Sequence, residues 1–212
     1  MGHQPVLAWL ALIGLGAFHG INPGMGWLFA VALGMQEKRR TAVYAALLPL
    51  AAGHALAVLA AVAAAAAIGA VIPLDTLRWI LAAVLLALGI SRFFRHRHPR
   101  GTGMKVGMPG LTLWSFLMAT AHGAGLMVVP LFLGMTVSAG GHAHHAMSAG
   151  TSAPIAFLVT GAHAAGYLLV TALVAALVFE IFGVALLRRA WLNLDRIWAV
   201  ALVATGGLTL AV

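Results

Sequence analysis

Four histidines, His19, His54, His122 and His163, stand deep inside long apolar runs that hold no Asp, Glu, Lys or Arg beside them. A neutral imidazole ligates Zn, Ni, Co or Cu, and it can also carry a proton. Polar side chains at membrane depth are costly and face a bundle interior or a cavity. Their neighbours strengthen a site reading. In "AFHGINPGMGW" (17–27), helical spacing puts His19, Asn22 and Gly26 on one face. Pro23 has no backbone N–H, so the carbonyl four residues back, that of His19, is expected to be freed. Gly24 follows at once. Unwound backbone at this depth is tolerated where it lines protein or a wet cavity, and transporters build ion sites from such breaks. The expected metal set is therefore His19, His54, His122 and His163 with Asn22, and Pro23 and Gly24 form the break. Met25, Met118 and Tyr167 are candidate secondary ligands, although methionine is also a common core filler.

The elements that must position these residues are apolar helices. The chain has 212 residues, 63% of them hydrophobic and 8% charged, with a mean hydropathy of +1.04. A soluble domain needs a more polar exterior than this. The expected class is an all-α polytopic membrane protein. Six runs meet the length of about 20 residues that a span needs: 5–35, 42–71, 76–94, 111–137, 154–186 and 194–212. By helical rise, His54 lies on the order of 20 Å from Arg40, near mid-membrane. Pro49 and Pro130 are further candidate kinks. The net charge of +8 does not imply nucleic acid, because the basic residues sit in short loops, as topology determinants do. The absence of cysteine excludes thiol redox chemistry and thiolate ligands.

Loop charge sets an expected orientation. Lys38, Arg39 and Arg40 follow the first span. Arg92, Arg95, Arg97, Arg100 and Lys105 follow the third, and Arg188, Arg189 and Arg196 follow the fifth. The positive-inside rule then places these loops in the cytoplasm and both termini outside, in a bacterial inner membrane. The outer side would carry the loop 138–154, where His142, His144 and His145 form a candidate metal-capturing cluster. The chain also repeats. "AFHGINPGMGWLF" pairs with "TAHGAGLMVVPLF" (120–132), and "AAGHALAVLAAV" (51–62) pairs with "TGAHAAGYLLVTA" (160–172). Residues 1–105 and 106–212 thus read as two three-helix repeats. An odd helix number inverts the second repeat relative to the first, the usual plan of a secondary transporter.

The broken, glycine-rich "FHGINPGMGW", the histidines of spans 1 and 4 and the three-plus-three plan resemble the LysE-type transporter superfamily. That superfamily includes nickel/cobalt exporters and cytochrome-c-biogenesis membrane families. The resemblance implies a six-helix fold and transport of a small solute. The chain departs from those exporters in having no Asp-His pair, and from the thiol-transferring relatives in having no cysteine. The leading expectation is a transporter, rather than an enzyme, that moves a transition-metal cation (Ni, Co, Zn or Cu) through the histidine site. With no membrane carboxylate, a divalent ion would lack charge compensation. Cu(I), or a small anion if the imidazoles were protonated, eases that problem. Two alternatives remain open: a histidine-ligated cofactor protein, such as a b-type haem protein or a metalloenzyme, and a membrane scaffold or assembly factor. The expected partners are the bilayer and a small inorganic ion, without nucleic acid. Association into a homo-oligomer is left open.

Overall fold

The computed structural model describes residues 3–94, 107–139, 149–182 and 194–211. The histidine cluster 142–145 and most of the basic loop after the third run lie outside them. The described residues fold into helices α1 (His3–Ile21), α2 (Trp27–Glu37), α3 (Arg40–Gly69), α4 (Leu74–Phe94), α5 (Met108–Ala121), α6 (Ala124–Ala139), α7 (Ala149–Leu177) and α8 (Leu194–Ala211). No strand occurs among them. A short 3-10 turn, Pro23–Met25, joins α1 to α2, and a π turn, Val178–Phe182, extends α7.

Three helices are long and apolar enough to cross a membrane: Arg40–Gly69, Leu74–Ser91 and Ser152–Ile181. A fourth span is added if α5 and α6, bent by 66° at their junction, are taken as one. The first and last runs contribute the shorter apolar helices Val6–Ile21 and Ala199–Leu210. Large apolar side chains such as Leu48, Trp79, Phe157 and Leu169 point outward. That is the inside-out surface of a chain solvated by lipid rather than water.

Helix α1 packs along α7, α3 along α5, and α4 along α8, with α3 against α7 at the centre. Small residues set these seams. A Cβ added at Gly16 would strike the main-chain carbonyl of His163, and one added at Gly53 would strike the carbonyl of Thr112. Only glycine lets two backbones approach so closely, which is how apolar helices associate when no hydrophobic force separates lipid from protein. Leu12, Leu50, Val58, Leu85, Met127, Phe132 and Tyr167 fill the space between the pairs, each almost fully buried.

The breaks fall in places the sequence only partly indicates. The first run breaks at Asn22–Gly26, as expected, and Gly26 adopts φ 137, open only to glycine. The fourth run breaks at His122–Gly123, where Gly123 has φ 73. Pro130 and Pro49 both sit inside continuous helices. A proline costs a helix one internal hydrogen bond, which neighbouring helices can absorb; a left-handed residue turns the chain away altogether. Helix α7 begins at Ala149, ahead of Pro154, so the fifth run starts earlier than its expected bound of 154.

Candidate functional site

The break in the first run closes on itself. Asn22 Oδ1 accepts the Gly24 N–H at 2.8 Å, capping the 3-10 turn. The Asn22 N–H donates to the His19 carbonyl at 3.2 Å. This corrects the expectation that Pro23 leaves that carbonyl free: the chain tightens from a four-residue to a three-residue bond, as helix ends commonly do. Trp27 Nε1–H donates to the Ile21 carbonyl at 2.9 Å, and Tyr167 Oη–H donates to the Met25 carbonyl at 2.6 Å. The polar backbone exposed by Pro23 is therefore served by Asn22, Trp27 and, from another helix, Tyr167.

Beside this break, three of the four histidines meet. His19 comes from α1, His54 from α3 and His163 from α7, and all three are fully buried. The His19 ring centroid lies 5.5 Å from that of His54 and 5.1 Å from that of His163. His54 and His163 are nearly coplanar, 9° apart, with centroids 5.3 Å apart and Nε2 atoms 3.2 Å apart. A face-to-face stack would bring the rings to about 3.5–4 Å. At 5.3 Å with facing nitrogens, the rings lie edge to edge and share a hydrogen bond. The true stack is on the other side, where Tyr167 lies 3.9 Å from His54 at an interplanar angle of 3°. Asn22 and Met25 are buried at the same break, and the Met118 methyl would touch a Cβ placed on Gly24.

Hydrogen bonding assigns the tautomers. His163 Nδ1 faces the Leu12 carbonyl at 3.3 Å, so it carries the proton and donates. Its Nε2 is then the acceptor, and His54 Nε2–H donates to it. His54 Nδ1 is left as a buried lone pair without a hydrogen-bond partner. His19 Nδ1–H donates to the Leu15 carbonyl at 2.6 Å, and His122 Nδ1–H donates to the Met118 carbonyl at 2.8 Å. Three of the four histidines thus spend Nδ1–H on a backbone carbonyl and keep Nε2 as the basic nitrogen. Metal-ligating histidines are commonly oriented in this way.

His122 caps the end of α5 and lies within electrostatic range of His19. It resembles His19 in one respect: in both, Nδ1 bonds the carbonyl four residues back, close to a break in the helix. Among the described residues, no three His, Cys, Asp or Glu side chains converge into a group that could hold a metal ion as they stand.

Sequence spacing missed two parts of the site. The first is the set of carbonyls, of Leu12, Leu15 and Met25, that orient the rings. The second is Thr171, buried one turn beyond Tyr167; with Thr160 and His163 it completes a polar stripe along α7 that helical periodicity could have extended. Ser115, which helical spacing places on one face with Met118 and His122, donates its Oγ–H to the Leu50 carbonyl at 2.6 Å and ties α5 to α3 near His54. Tyr167→Phe tests the tether to the break. The stack on His54 survives, but the buried Met25 carbonyl loses its hydroxyl donor. We expect a loss of about 1–3 kcal/mol, read as a lower midpoint of thermal unfolding in detergent; an unchanged midpoint would remove the tether.

Comparison with protein-family models, curated proteins and solved structures finds no match.

Proposed function

We propose that this chain is an integral membrane transporter for a transition-metal cation, with the His54–His163 nitrogen pair as the seat of the ion and His19 beside it. One observation carries the reading. The two Nε2 atoms stand 3.2 Å apart in a buried setting. Two nitrogens bound to one four-coordinate ion at 2.0–2.1 Å stand roughly 3.3–3.4 Å apart. An ion can sit between the two rings with little movement of either once the shared proton passes to His54 Nδ1, the tautomer in which both Nε2 atoms offer lone pairs. The haem alternative fares worse, because nitrogens this close leave no room for an iron and its macrocycle between them.

In the same proposal, the architecture is six spans in a three-plus-three inverted repeat. Exchanging the two halves turns the α1–α7 seam into the α5–α3 seam and leaves the α4–α8 and α3–α7 pairings unchanged, as a two-fold axis in the membrane plane requires. Both basic loops and the ends around Arg39 would face the cytoplasm of a bacterial inner membrane. In support, Arg40 Nε, at the start of α3, pairs with Glu180 Oε1, just past α7, at 2.9 Å. That puts two ends predicted to be cytoplasmic at the same end of the bundle. A C-terminal alkaline phosphatase fusion is expected to be active and a C-terminal green fluorescent protein fusion dark; the reverse pair of results overturns the orientation. The function is tested with purified protein in proteoliposomes loaded with a metal-sensitive dye. Entry of at least one of Ni(II), Co(II), Zn(II) or Cu(I) is expected, and no flux of any of them would sink the reading.

A further inference from the structure

We infer that the transported ion is monovalent and soft, namely Cu(I), for which Ag(I) is a redox-inert stand-in. This rests on the transporter reading above and narrows it.

The first argument is charge. The three carboxylates whose side chains are described, Glu37, Asp75 and Glu180, are all exposed, and none approaches the histidines. His19, His54 and His163 are buried, and burial without a paired carboxylate disfavours a protonated ring. An ion held among them keeps its whole charge in a region of low dielectric. The cost of burying an ion by Born solvation grows with the square of its charge, so a dication costs about four times as much as a monocation of the same size. Sites built for dications offset this with carboxylate or thiolate. Among the described residues no carboxylate joins the histidines, and the chain has no cysteine.

The second argument is coordination number. Two nitrogens converge, those of His54 and His163. No group of three acidic, thiol or imidazole side chains does so among the described residues. Zn(II) asks for four ligands in structural sites, and Ni(II) and Co(II) generally ask for more. Cu(I), with a filled d shell, is satisfied by three in a trigonal arrangement, which leaves two nitrogens about as far apart as the facing pair. Imidazole nitrogen is an accepted donor for copper, and thioether sulfur selects Cu(I). Both soft donors near the break are in place. The Met25 side chain is buried, and the Met118 methyl lies against the Asn22–Gly24 turn. Either methionine would need to supply only one further donor.

The test uses the full chain in detergent with His142, His144 and His145 changed to alanine, so that the loop cluster does not bind the probe. Cu(I) is titrated anaerobically against a chromophoric chelator, Ag(I) in parallel, and Zn(II), Ni(II) and Co(II) each in competition. We expect one Cu(I) or Ag(I) per chain, held at least about 100-fold more tightly than each dication, and His54→Gln to abolish that preference. Copper X-ray absorption on the His54-containing protein, which needs no folded variant, should show a three-coordinate ion with two imidazole nitrogens. Dications bound as tightly as Cu(I), or a four-coordinate oxygen-rich copper site, overturn this inference and leave the transporter reading intact. Absence of binding by all five ions, together with absence of flux, overturns both.

Discussion

Gly16→Ala is expected to unfold or grossly loosen the protein. The added methyl has no flexible neighbour to push aside: it meets the His163 carbonyl, part of the α7 backbone. Relief requires α1 to move off α7 along its whole seam. Overpacking in a well-filled core usually costs about 1–3 kcal/mol, and backbone contact belongs at the upper end. The damage also reaches the site, because the His163 Nδ1–Leu12 bond crosses the same seam. Gly14→Ala is the control. A Cβ there meets nothing within 4 Å, and alanine is the better helix former by about 1 kcal/mol. The pair is compared by thermal unfolding and gel filtration in detergent. Equal stability of the two variants would remove the close α1–α7 approach.

His54→Ala carries the largest functional effect. It deletes one of the two facing nitrogens and strips the ring from Tyr167. Loss of an outer-shell partner of a metal ligand already costs about 10–100-fold, so removal of the ligand itself should lower metal flux at least about 100-fold. The vacated ring volume should also cost about 2–4 kcal/mol of stability. For that reason flux is scored per folded protein, after gel filtration. His122→Ala, at the break of the fourth run, should weaken flux less, because His122 does not supply either nitrogen of the facing pair. Undiminished flux in folded His54→Ala would remove the pair from the transport path.

The convergence of His19, His54 and His163 was legible in the sequence for a physical reason. Uncharged polar groups in apolar helices have few places to go other than toward one another. The break at Asn22–Gly26 was legible from Pro23 and its glycines. The break at Gly123 was not, because a glycine in a helix is common and only the packing decides whether it turns left-handed. The fate of the His19 carbonyl was hidden as well. Spacing tells which bond a proline removes, but not which group fills the gap. Here Asn22 fills it from three residues away. Tyr167 reads from the sequence as a candidate secondary ligand; in the structure its hydroxyl bonds the Met25 carbonyl and its ring stacks on His54.

The glycine seams also have a mechanical consequence. Backbones pressed together at Gly16 and at Gly53 cannot slide or rotate freely, so α1 with α7, and α3 with α5, each behave as one stiff lever. His19 and His163 ride on the first lever and His54 on the second. The single hydrogen bond between His54 and His163 is therefore a clasp between levers. Any rocking of one against the other would have to open it. The atoms that would hold the ion are then the same atoms that any rocking would have to part.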